Sequence, residues 1–225
     1  MKKTYIYKVF ALALLISSAF LLVGCNQNNA NQNNNFQESD DIISENNNND
    51  MTSEPVISIK DKIPFYKKQL NMNYTKGVEI EPLYLVIHET ANTRAGADAN
   101  AHYRYWSTNP DANASTHFVV DSEEIYQMLE LNQMAWHVGD NKGYSEITNY
   151  NSIGIEIAVN SDGDFDKARQ NAIELTIEIM NKLNMSIDQL KTHNDASGKN
   201  CPTIMLKNRY LLDDFYAQVE KGLNK

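Results

Sequence analysis

Residues 83–88 read Leu83-Tyr84-Leu85-Val86-Ile87-His88, a continuous apolar run that ends on a histidine. A run without polar alternation predicts a strand buried on both faces, as in parallel sheets covered by helices. Working outward, Ile153 to Val159 reads as a second strand of the same kind. Thr116 to Asp121 and Glu124 to Leu129 read as two short strands joined by an acidic turn, which predicts a hairpin. Ala97 to Trp106 has the pattern of a helix. From Phe165 onward, Ala168, Ala172, Leu175, Ile179 and Leu183 recur at spacings of three or four, so a long amphipathic helix is expected. A last helix is expected over Arg209 to Leu223. Strands and helices interleave without an internal repeat, which predicts an α/β fold: a mixed β-sheet with flanking helices.

The chain of 225 residues has room for one domain of ordinary size plus its flanks, and 42% hydrophobic residues can supply a core. Residues 1–25 have the grammar of an export signal. Lys2, Lys3 and Lys8 precede an apolar run from Val9 to Val23, broken by Ser17 and Ser18. Its ending, Leu22-Val23-Gly24-Cys25, resembles the bacterial lipobox, which implies a lipid on Cys25 and a site on the outer face of the cytoplasmic membrane. Residues 26–55 are mostly Asn, Gln, Ser, Asp and Glu and offer little to bury, so a disordered tether is expected there. A coil of that length averages roughly 30 Å end to end and reaches about 100 Å when stretched. The folded domain is then expected over 56–225.

Charge narrows the partners. The formal net charge is -9, and loss of the three leader lysines takes it to -12. With no concentrated basic surface, a nucleic-acid partner is disfavoured. No coiled-coil pattern is visible, so a monomer is expected. Cysteine usage points the same way as the leader. With Cys25 consumed by lipid, Cys201 is left as the single thiol of an exported chain, and it calls for a role as buried residue, ligand or nucleophile.

All five histidines, at positions 88, 102, 117, 137 and 193, lie in the expected domain. His88 follows the first strand, where its side chain can project into a cleft. His193 and Cys201 bracket the loop His193-Asn194-Asp195-Ala196-Ser197-Gly198-Lys199-Asn200-Cys201-Pro202. Two imidazoles and a thiolate make a zinc set that leaves a fourth position open for water, unlike a structural finger with its four protein ligands. Glu156 sits inside an apolar strand, where an ionised carboxylate is costly unless it has a partner or a task. A strand-end Glu paired with a base would satisfy that requirement equally well.

Five segments carry a resemblance: Val86-Ile87-His88-Glu89-Thr90, Ser115-Thr116-His117-Phe118-Val119-Val120, Ala135-Trp136-His137-Val138-Gly139, Ser152-Ile153-Gly154-Ile155-Glu156, and His193 through Pro202. In this order, over about residues 82–209, they resemble the zinc-dependent N-acetylmuramoyl-L-alanine amidases, a group that includes phage lysozyme-type amidases and is related to peptidoglycan recognition proteins. The resemblance implies a single amidase domain with a zinc cleft, Zn2+ as cofactor and peptidoglycan as substrate. It puts His88, His193 and Cys201 at the zinc-ligand positions and Glu156 at that of the catalytic acid or base. Lys199 falls on a lysine that stabilises the oxyanion, and Trp136 with His137 on a motif beside the cleft that contacts substrate or supports the site. Thr116 stands where some members carry a catalytic Tyr, which leaves Glu156 as the main base.

The implied reaction is hydrolysis of the amide between N-acetylmuramic acid and L-alanine. Two other readings share the motifs: a recognition module that binds wall without cutting, and a zinc peptidase acting on the stem peptide. Retention of Cys201, His88, His193 and Glu156 argues against the first. Ligand identity alone does not separate the second.

Overall fold

The computed structural model describes residues 63–224. The expected export segment, Cys25, the tether and the domain start at 56 lie outside these residues. The first strand, β1 (Phe65–Lys67), is followed by β2 (Thr75–Glu79), β3 (Tyr84–Glu89) and helix α1 (Ala99–Thr108). Next come β4 (Phe118–Val120), β5 (Ile125–Gln127), β6 (Gln133–Met134) and β7 (Ser152–Ile157). The remainder is α2 (Phe165–Lys182), β8 (Leu190–Thr192), α3 (His193–Ser197), α4 (Thr203–Lys207) and α5 (Arg209–Leu223).

Six strands form one sheet in the order β1-β5-β4-β7-β3-β8, with β2 and β6 paired separately. Only β4 and β5 run antiparallel within it, and they are the expected hairpin. The other neighbours are parallel. The expectation of an α/β fold with a mixed sheet therefore holds, and the sheet is mostly parallel.

Parallel pairing explains the uninterrupted apolar runs. On one face, Leu85 and Ile87 of β3, Phe118 and Val120 of β4, and Ile153, Ile155 and Ile157 of β7 join one buried cluster with α2 and α5. Helix α2 contributes Ala168, Ala172, Leu175 and Ile179, the positions its periodicity marks, and α5 contributes Leu212, Phe215 and Val219. Each large side chain buried here stabilises the fold by about 1.5–3 kcal/mol. The opposite face holds two smaller clusters, one around Val119 and Trp106 and one around Val86 and Val138. Between them lie the polar residues of the site.

Boundaries shift for local reasons. Leu83 is 49% exposed and precedes β3, which instead runs on through His88 and Glu89. His88 is thus a residue of a central strand and does not merely follow one. Helix α1 starts two residues later than its pattern suggests because Asp98 caps it, its side chain accepting from Ala101 N at 2.7 Å. Asp164 caps α2 in the same way, accepting from Lys167 N at 3.0 Å.

Candidate active site

Register assembles the first half of the site. His88 of β3 is the direct neighbour of Glu156 of β7, as Val86 is of Gly154. Side chains paired across parallel strands point to the same face, so the imidazole and the carboxylate share one side of the sheet. Glu156 Oε1 lies 4.0 Å from His88 Nδ1. The second half comes from the neighbouring strand: β8 pairs with β3, and α3 begins at its end with His193. Thr192 and Asp195 form a capping box that starts this short helix, and Gly198, with φ +75°, ends it in the left-handed conformation. The chain then turns back and brings Cys201 to the same place.

Among the described residues, His88, His193 and Cys201 bring ligand atoms within 4.8 Å of one another, and all three are buried. Their hydrogen-bond partners show what the cluster can hold. His137 Nε2 meets Ser152 O and Ser152 Oγ, both at 3.2 Å. That hydroxyl donates to Thr148 O at 2.6 Å, so both neighbours accept and Nε2 of His137 carries the hydrogen. Nδ1 of His137 is then an acceptor, and it takes the hydrogen of His88 Nε2 at 3.0 Å. On the other side, His193 Nε2–H donates to Asp140 Oδ1 at 2.7 Å. Nδ1 of His88 and Nδ1 of His193 are both left as lone pairs, facing each other at 2.9 Å. Two acceptors this close repel unless a cation lies between them.

A proton is a poor candidate for that cation. Burial, with the neighbouring His137, His193 and Lys199, holds His88 well below the usual imidazole range, and burial lowers His193 against the pull of Asp140. Burial also pushes the Cys201 thiol up to about 12, with Glu156 adding to the rise. The thiolate therefore needs a positive ion beside it. Two neutral imidazoles and a thiol that ionises only against a cation fit a soft divalent metal such as zinc.

Glu156 is 17% exposed, at the floor of a cleft also lined by Thr90, Trp106, Trp136, His137 and Lys199. Burial raises its carboxyl to about 7, against the lowering effect of Lys199. Its Oε2 has no hydrogen-bond partner among the described residues. A buried carboxylate oxygen left free beside a metal-ligand cluster has the placement of a proton acceptor.

Comparison with known proteins fits this geometry. Residues 79–204 match the profile of the Amidase_2 family, described as N-acetylmuramoyl-L-alanine amidase. The chain belongs to this family. It is 47% identical to the N-acetylmuramoyl-L-alanine amidase XlyA of Bacillus subtilis over 164 residues, 73% of this chain and 51% of that protein. With CwlH of the same organism it shares 42% identity over 130 residues, 58% of this chain and 51% of the relative. The chain thus spans about half the length of the curated relatives it matches. The catalytic domain of XlyA superposes with a TM-score of 0.63 at 43% identity, covering 70% of this chain and 99% of that one. PlyL superposes with a TM-score of 0.59 at 27% identity, over 72% and 98% of the two chains.

Within this amidase domain the remaining expected residues take distinct places. Lys199 is at the cleft, its Nζ 3.8 Å from Asp140 Oδ2. Trp136 lines the cleft while its indole N–H donates to Thr75 Oγ1 at 2.8 Å. His137, expected to contact substrate or to support the site, lines the cleft and is buried, with both its ring nitrogens engaged as described. In the structure it supports His88. His117 is fully buried, with Nε2–H donating to Gln133 O and Nδ1 accepting from Gly154 N, which makes it a packing residue. His102 donates through Nδ1–H to Asp98 O and packs against Trp106, and Thr116 Oγ1 is buried with no hydrogen-bond partner among the described residues.

Three contributors went unassigned in the sequence. Glu89, buried beside His88, accepts from Ile204 N at 2.6 Å and Met205 N at 3.1 Å. It supplies the cap that Pro202 cannot give α4, and so fixes the turn that carries Cys201. Its alternation with His88 in an apolar strand was a legible signal. Gly154 leaves room for His137: a Cβ there would sit 2.8 Å from His137 Nδ1 and 2.8 Å from Thr116 Oγ1. Asp140 has no signal that links it to a histidine 53 positions away.

Proposed function

We propose that the chain is a zinc-dependent N-acetylmuramoyl-L-alanine amidase that hydrolyses the amide joining N-acetylmuramic acid to L-alanine in peptidoglycan. The observation that carries this reading is the pair of bare imidazole nitrogens facing each other beside Cys201, with the free oxygen of Glu156 alongside. The names of the family and of its relatives supply the substrate. His88 and His193 would hold the metal through Nδ1 and Cys201 through Sγ.

Zinc, when bound, supplies a Lewis acid for the scissile carbonyl and lowers the pKa of water to about 7. The chain's own residues do the rest. Glu156 accepts a proton from the attacking water and returns it to the leaving amine, base first and acid second. A carboxyl whose pKa burial has raised to about 7 suits both halves of that exchange. Lys199 stabilises the negative charge that develops on the carbonyl oxygen. The indoles of Trp106 and Trp136 give the cleft apolar walls against which sugar or peptide can pack.

We further propose that the domain works outside the cytoplasm, anchored by lipid on Cys25 at the outer face of the bacterial cytoplasmic membrane and reaching the wall through the segment 26–55. The basic start, the apolar run and the Leu22-Val23-Gly24-Cys25 ending support this. The sequence has no concentrated run of basic residues to draw a processed chain of charge -12 to an anionic wall, so affinity is assigned to the cleft and the tether. The protein is proposed to act as a monomer.

The test is to incubate the full-length protein with purified peptidoglycan, as zinc-loaded, chelated and Cys201→Ser forms. New amino termini are labelled and identified by mass spectrometry. Zinc-dependent release of stem peptides that begin with L-alanine, lost with chelation and with C201S, is the expected result. Cleavage inside the stem would make the protein a zinc peptidase, and wall binding without cleavage would make it a recognition module.

A further inference from the structure

We propose that Asp140 is a positioning residue that ties the metal-ligand histidine His193 to the cleft lysine Lys199 through a single carboxylate. This rests on the zinc-site reading above and adds a residue to it. Oδ1 of Asp140 is 2.7 Å from His193 Nε2, and Oδ2 is 3.8 Å from Lys199 Nζ. The first contact fixes the tautomer and direction of the imidazole, so that the lone pair of Nδ1 stays aimed at the ligand cluster. A carboxylate behind a ligand histidine also makes that histidine more basic. The second contact acts on a side chain that is 58% exposed and follows Gly198 in a turn. A long side chain in solvent keeps its rotamer freedom unless something holds its end.

The carboxylate itself is held in place. Asn149 Oδ1 accepts from His137 N at 3.1 Å and Val138 N at 2.9 Å, which fixes the segment leading into Asp140. Immediately after it, Asn141 Nδ2 donates to Ala196 O at 2.9 Å, and Ser145 Oγ donates to the same oxygen at 2.9 Å. Ala196 belongs to α3, the helix that begins with His193. The segment is therefore bonded to the same element as the ligand it supports. His137, three residues earlier, backs His88 in the equivalent way. Residues 137–140 thus brace both ligand histidines from behind, and of the two braces Asp140 is the one that carries a charge and meets the cleft lysine.

The experiment measures the zinc dissociation constant of the full-length protein by competition with a chromophoric chelator at pH 7, for wild type, D140A, D140N and K199M. Thermal unfolding of the metal-free forms runs in parallel. D140A is expected to weaken zinc binding by about 10- to 100-fold. D140N keeps an acceptor for His193 without the charge and should fall between D140A and wild type. K199M, which removes a positive charge beside the ligand cluster, should bind zinc at least as tightly as wild type while losing turnover. An unchanged unfolding midpoint of metal-free D140N separates positioning from general structural support. Were D140A not to fold, the affinity of D140N decides. Zinc affinities of both Asp140 variants equal to wild type would overturn the proposal. A wild-type protein that binds no zinc would overturn the zinc-site reading itself, a result easily told from the first.

Discussion

The two faces of β3 and β7 are built from alternate residues of the same two strands, yet they obey different rules. Toward α2 and α5, Leu85, Ile87, Ile153, Ile155 and Ile157 make an almost uniformly aliphatic layer. Toward the cleft, the intervening positions are Val86, His88, Ser152, Gly154 and Glu156. Burial is similar on the two sides, with His88 and Ile87 both essentially inaccessible. The difference lies in what burial costs. An aliphatic side chain gains from it outright, whereas a histidine or carboxylate gains only when each polar atom finds a partner or a ligand. The helical face contributes the stability that lets the cleft face keep two imidazole lone pairs opposed and one carboxylate oxygen unpaired.

Substitutions on either side can break that division of labour. The largest effect is expected from Glu156→Ala: turnover on peptidoglycan should drop by about 10²- to 10⁴-fold while the unfolding midpoint holds or rises. Full turnover in E156A would remove Glu156 from the mechanism. Ile155→Ala, one residue away on the opposite face, should do the reverse. It should cost about 2–5 kcal/mol in denaturant unfolding and leave the turnover of the folded molecules near wild type. Gly154→Ala tests the boundary between the faces. Its new Cβ would meet His137 Nδ1 at 2.8 Å, so we expect a cost of about 1–3 kcal/mol together with weaker zinc binding, as His137 is pushed off His88. Unchanged zinc affinity in G154A would show that His137 is not needed to seat His88.

The smallest effect is one of pH, and it belongs to His117. Burial lowers its pKa to about 4, so it stays neutral in the fold while the unfolded chain takes up a proton below about 6.5. The stability this neutrality supports is fully present above pH 6.5 and is lost progressively as pH falls toward 4. Between pH 6.5 and 5.5 the loss is about 1 kcal/mol. His117→Gln can still donate to Gln133 O and accept from Gly154 N but does not titrate, so the acid side of its stability curve should be flatter. Parallel curves for H117Q and wild type would contradict the buried neutral assignment.

Much of this was legible in the sequence. The unbroken apolar runs declared buried parallel strands, and the spacing in α2 marked the residues that reach the core. The order of the motifs marks the three candidate ligands and Glu156. The ends of helices and strands were less legible, because caps such as Asp98 and the exposure of Leu83 depend on what lies nearby in space. The short strands β1, β2, β6 and β8, with three, five, two and three residues, carry too little pattern to announce themselves. Within the site, His137 reads the same whether it faces a substrate or the back of another histidine.

Sequence by itself determined the alternation in β3 and β7, and with it which side chains would be driven into the helical core and which would be left for the cleft. That follows from hydrophobicity and the two-residue period of a strand, both of which are local. Only the tertiary structure decided which nitrogen of each histidine is free. Ser152, Thr148, His137 and Asp140 set the tautomers, and they reach His88 and His193 across separations of tens of residues. A hydrogen's place on a ring is fixed by whatever accepts it, and no local pattern records a partner that only folding brings near.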